Sequence, residues 1–126
     1  MVDITKQISH WRSGALEDWS VARELVERGR IRHGLFFAHL ALEKALKAHV
    51  CKKTLDLAPR VHNLVRLAEL AALATNEAQR NALAEMNAFA TEGRYPEMLA
   101  PFPSSEEARA YLVRAEEVLR WLIVQL

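Results

Sequence analysis

Three side chains that could do chemistry, Glu43, Lys44 and Lys47, interrupt the most apolar run in the chain, GLFFAHLALEKALKAHVCKK from Gly34 to Lys53. A helix with so little polar circumference is normally buried on most sides, and a buried charge needs a partner or a route to water. The spacing of His39, Glu43 and Lys47 places them about 40° apart around a helix, in one stripe. Glu43 and Lys47 form an i,i+4 pair in the favoured order. The stripe is therefore either a solvated edge of an otherwise buried helix or a polar seam facing a subunit interface or a ligand cleft. His39 and Glu43 alone supply only two metal ligands, and no third is adjacent, so no metal site is assigned.

A second group lies in the loop Gly93 to Pro103, which holds three of the four prolines. Pro96 restrains Tyr95 to extended conformations and so limits the segment that presents Arg94. An arginine held this way suits a phosphate, a carboxylate or a base plane, or it ties the loop to Glu116 or Glu117 on the last helix. A short basic cluster, Arg28 to His33, is either a phosphate contact or a solvated turn, and the absence of interleaved aromatics favours the turn. His62, after Pro59 and Arg60, is read as a cap or a tether at a helix start. No Gly-rich phosphate loop and no Ser/His/Asp arrangement is present, and no catalytic residue is assigned.

These residues must be positioned by helices. Ile4, Ile8, Trp11, Ala15, Trp19, Ala22 and Val26 recur at three- and four-residue gaps, and Gly29 marks a stop after Arg28. Gly14 inside this pattern suggests close packing against a neighbour. The second helix runs roughly from Ile31 to Lys53, with Lys52 and Lys53 at the negative end of its dipole. A shorter pattern follows from Val61 to Ala71. A fourth, capped by Thr75 or Asn76, carries Ala82, Met86 and Phe89, and the two together could form one broken element. Ser104 with Glu107 is a capping box that opens a last helix through Ala108 to Leu126. The expectation is an all-α, up-and-down antiparallel bundle of four or five helices forming one domain over residues 1–126.

Composition agrees with that reading. Of 126 residues, 51% are hydrophobic, enough for a real core. The net charge of +1 provides no overall field toward nucleic acid or membrane. The single cysteine, Cys51, excludes an internal disulfide framework and a multi-Cys zinc site. No signal-type or membrane-spanning apolar run is found, so a cytoplasmic protein without membrane contact is expected.

Several landmarks then line up. An early Trp precedes a helix with Ala22-x-x-Leu25. FFAHLALEKALKAHV follows, with the core Ala41-Leu42-Glu43-Lys44-Ala45-Leu46-Lys47-Ala48, and then His62-Asn63-Leu64. Gly93-Arg94-Tyr95-Pro96 comes next, and a final helix carries Glu106-Glu107-Ala108 and Ala115-Glu116-Glu117-Val118-Leu119. Along essentially the whole chain this order resembles the HEPN domain family (higher eukaryotes and prokaryotes nucleotide-binding). The resemblance implies a homodimeric helical bundle, commonly the partner of a minimal nucleotidyltransferase in a toxin–antitoxin-type module. Active members are metal-independent ribonucleases whose signature is an Arg followed, after four to six residues, by a His. Arg94 matches the Arg, but Leu99, Ala100 and Pro101 stand at the His positions. The chain is therefore expected to be a nucleotide-, RNA- or partner-binding subunit, without cofactor, using Arg94, Tyr95, Lys44, Lys47 and Glu43. Its rivals are a ribonuclease whose His comes from another position and a ligand-free structural module.

Overall fold

A computed structural model describes residues 2–90 and 103–126 of the chain. Among these residues are five α-helices: α1 Ile4–Glu27, α2 Ile31–Thr54, α3 Leu64–Leu70, α4 Glu77–Met86 and α5 Ser105–Ile123. A 3-10 turn, Asn87–Phe89, follows α4. No strand is present among the described residues. The all-α bundle expected from the apolar periodicity is thus what the chain forms.

The helix limits follow from local chemistry. Asp3 caps α1 by accepting from the Lys6 amide. At its other end, Gly29 takes φ +78°, its amide bonds to the Val26 carbonyl, and the Arg30 amide reaches Leu25 at 2.8 Å. This pair of bonds is a Schellman stop, which needs a left-handed residue at that position. The tight turn folds α2 back along α1: Val26 meets Gly34, Asp18 meets Lys44 and Trp11 meets Lys47. The pairing is antiparallel.

The α1–α2 seam is built from small residues, with Ala15, Ala22, Ala38, Ala41, Ala45 and Ala48 all fully buried. Gly14 belongs to it as its sequence position suggested, since a Cβ there would lie 3.1 Å from Lys44 Cδ. Leu35, Leu42, Leu46, Leu64, Leu67, Leu83, Met86 and Leu122 fill the centre of one shared apolar core. The pattern read between Val61 and Met86 resolves into two helices. The α3 helix stops at Ala71, where Ala72 adopts φ 53° and Leu73 bonds back to Ala68. Asn76 with Gln79 then opens α4 as a reciprocal capping box, and Ser104 with Glu107 opens α5 in the same way.

The α5 helix runs parallel to α2 and antiparallel to α1. His49 donates from Nε2 to the Leu122 carbonyl at 2.8 Å, and Lys52 reaches the Gln125 carbonyl at 2.7 Å. Trp19 on α1 donates its indole N–H to Glu116 at 3.0 Å. No helix of the described residues is long and apolar enough to cross a membrane.

Candidate functional site

Glu43 lies at the centre of a buried polar network on α2. Its Oε2 accepts from Lys47 Nζ at 3.0 Å, one turn along the same helix. From the segment before α3, His62 Nδ1 lies 3.1 Å from Oε1 and 3.2 Å from Oε2. A carboxylate only accepts, so the His62 proton sits on Nδ1 and is shared between both oxygens. His39, one turn before Glu43, donates from Nε2 to the His62 backbone carbonyl at 3.1 Å. Its Nδ1 stands 3.8 Å from Glu43 Oε1 and has no hydrogen bond among the described residues. The Lys47 ammonium also lies 5.4 Å from the centre of the Trp11 ring on α1, within cation–π range.

Burial decides what this network is. His39, Glu43 and Lys47 are 1%, 5% and 7% exposed. The solvated-edge reading of the stripe is therefore corrected: periodicity placed the three on one face, but that face is covered. They sit among one another and beneath His62, whose side chain is 71% exposed. Lys44 points elsewhere. Its ammonium is 2.7 Å from Asp18 on α1, an ion pair without hydrogen-bond alignment, and it packs over Gly14. The two lysines thus serve separate carboxylates.

A third potential ligand, His62, does join His39 and Glu43, which sequence spacing alone did not reveal. The group is still not a metal cage. Lys47 already occupies the carboxylate, His62 Nδ1 is bonded to that same carboxylate, and His39 is held through Nε2 by the His62 carbonyl. No metal-holding cluster exists among the described residues. His62 does tether the start of α3, but through its ring to α2, while the helix itself is capped by Asn63. Arg94 and Tyr95 lie outside the described residues. In the basic cluster, Arg28 pairs with Glu24 at the exposed end of α1, as a solvated turn would. Concavities of about 250 and 350 Å³ lie elsewhere, between α1 and α5 around Trp19, Arg23 and Glu116. None of Glu43, Lys44 and Lys47 lines them.

Two buried imidazoles tie the stability of the bundle to pH. Burial pushes His39 below its ordinary value, only partly opposed by the Glu43 carboxylate and the bond to the His62 carbonyl. Burial lowers His49 likewise, against its bond to Leu122. Unfolded, both rings titrate near their ordinary value of about 6.5. Below that pH the unfolded chain binds more protons than the folded one, so stability is complete above it and is lost as pH falls toward the lowered folded values. The limiting slope is about 1.4 kcal/mol per pH unit for each ring. The urea midpoint is expected to drop between pH 7 and pH 5, and His49→Gln is expected to flatten the drop. A midpoint independent of pH over that range would contradict both assignments.

The fold and site together define an all-α helical bundle with a buried polar network on its second helix. The chain belongs to the HEPN domain family, whose model matches residues 8–125. Two solved structures share the fold. One is ST0689, an archaeal HEPN homologue, with a TM-score of 0.76 and 19% identity over 94% of this chain and 96% of that one. The other is TT1696 from Thermus thermophilus, with a TM-score of 0.79 and 22% identity over 95% of this chain and 98% of that one. No curated protein matches the chain in sequence.

Proposed function

We propose that this HEPN chain is a single-domain, homodimeric binding subunit that pairs with a minimal nucleotidyltransferase in the cytoplasm, in a toxin–antitoxin-type module. It takes a nucleotide phosphate or RNA at the surface above the α2 network. The observation that supports this reading is the buried Glu43–Lys47 pair, which meets solvent through one exposed imidazole, His62. Charges held inside an otherwise apolar helix, with a polar outlet, suit a domain that binds rather than merely packs. In this reading Arg94 and Tyr95 contact the ligand, Lys44 contributes from its partly exposed position, and Glu43 and Lys47 shape the floor.

Fluorescence anisotropy with a labelled single-stranded ribo-oligonucleotide, together with co-purification with a co-expressed minimal nucleotidyltransferase, tests the proposal. The double variant Arg94→Glu, Tyr95→Ala is expected to weaken RNA binding by about tenfold or more, the loss of one charge-assisted contact. Melting temperature and dimer mass by light scattering should be unchanged. If neither RNA nor the nucleotidyltransferase distinguishes the variant from the wild type, the binding reading fails and a ligand-free structural module takes its place.

A further inference from the structure

We infer that the groove between α1 and α5 is a docking site for an amphipathic α-helix of a partner protein, about three turns long, apolar on the face it buries and acidic at one end. The inference is independent of the RNA-binding reading, because the groove and the α2 network share no residue. The two concavities beside Trp19 are one feature, since Trp19, Arg23 and Glu116 line both. Their lining comes from α1 and α5, with Val124 immediately after α5.

The sequence lays out the walls. On α1, Leu16, Trp19, Arg23 and Val26 recur at helical spacing and form one stripe. Leu112, Glu116, Leu119 and Ile123 form the facing stripe on α5. Two antiparallel helices with facing stripes leave a furrow into which a third helix packs, ridge into groove. From Leu16 to Val26 the wall runs about 15 Å, close to three turns of an occupant. Exposure marks the rims. Among the described residues, six large apolar side chains are exposed, and Leu16, Val113 and Val124 of this groove are three of them. The other three, Val2, Leu55 and Leu57, lie outside the helices. Apolar side chains gathered along a concave surface, rather than scattered singly, mark an interaction site.

Charge selects the occupant. Glu116 is already engaged, by the Trp19 indole at 3.0 Å and by Arg120 at 3.3 Å. Arg23 and Arg109 line the same end of the groove from opposite walls, with Glu27 beside them, and all three are exposed. Neither arginine has an ion pair among the described residues. Two cations against one anion favour a carboxylate at that end of the occupant. A second copy of this chain lacks the required helix. Among the described residues, Leu16 and Val113 are the large apolar side chains exposed within helices, and both are rims of the groove itself. The remaining apolar stripes are used in the shared core.

The experiment uses the full chain and stapled, labelled helical peptides of about 15 residues, with leucines at i, i+3, i+7 and i+10. Two carry a pair of glutamates, at one end or the other, and two carry lysines there instead. Fluorescence anisotropy should show saturable binding of one glutamate peptide, about tenfold or more tighter than its lysine counterpart. Arg23→Glu with Arg109→Glu should reverse that preference. Leu16→Asn with Val113→Asn, both at exposed positions, should weaken the glutamate peptide about tenfold with Tm unchanged. Absence of saturable binding by all four peptides, or binding indifferent to both double variants, overturns the inference. Light scattering reads the rival occupant. A Leu16→Asn, Val113→Asn variant that turns from dimer to monomer would assign the groove to a second copy and overturn the inference as well.

Discussion

Glu43→Leu is expected to destabilise the bundle by about 3–5 kcal/mol, the usual cost of removing one member of a buried ion pair. The reason lies in what remains. Lys47 has a side chain only 9% exposed and would be left with no carboxylate beside it among the described residues. The Trp11 ring at 5.4 Å offsets only about 0.5–2 kcal/mol of that penalty. His62 would lose its anchor as well. The double variant Glu43→Leu, Lys47→Met removes both charges and keeps the volume, so it should recover most of the loss and could exceed the wild type. Urea unfolding of the four proteins measures the cycle. A single variant within about 1 kcal/mol of wild type would show that water reaches the pair. A double variant no better than the worse single would show that packing rather than charge carries the cost.

The same arithmetic bears on why the network is retained. If an apolar replacement is as stable or more so, the charges are not kept for stability. They hold one exposed imidazole in one tautomer and one orientation, at the junction of α2 and the segment before α3. The histidine that the HEPN ribonuclease signature would place after Arg94 is absent.

Local signals were the most legible. Gly29 after Arg28, Asn76 before Gln79, and Ser104 before Glu107 each stop or start a helix through bonds made within a few residues, so spacing alone reveals them. The break at Ala72 was less clear because a left-handed alanine carries no compositional mark. Charges on α2 were recognisable as needing partners, but the partners were not. Glu43 meets His62 across 19 positions, Lys44 meets Asp18 on a different helix, and Trp19 meets Glu116 across 97. Such pairings depend on how helices are docked, which periodicity does not encode. The readable clue was the combination of an unpartnered carboxylate in an apolar helix and a histidine in the short link that follows it.

Gly34→Ala should be the most damaging small-to-large change at the α1–α2 seam, costing about 2 kcal/mol net. Alanine gains up to about 1 kcal/mol in helix propensity over glycine. Against that, its Cβ would lie 2.6 Å from Val26 Cγ2, 3.0 Å from the Val26 amide nitrogen and 3.1 Å from the Ala22 carbonyl oxygen. Two of those three atoms belong to the α1 backbone, so no rotamer relieves them and the helices must separate. Overpacking of this kind typically costs about 1–3 kcal/mol and occasionally more. A loss of roughly 6–10 °C in Tm is expected for a chain of this size. Gly14→Ala on the same seam provides the contrast. Its nearest neighbour would be Lys44 Cδ at 3.1 Å, the middle of a flexible side chain that can shift. That variant should stay within about 0.5 kcal/mol of wild type, because the propensity gain offsets the adjustment. Val26→Ala in the Gly34→Ala background removes the worst contact but leaves the two backbone contacts, so rescue should be partial. Equal Tm values for the two glycine variants would mean that the helices are not held this close at Gly34, and that the small residues along α1 and α2 reflect propensity rather than approach.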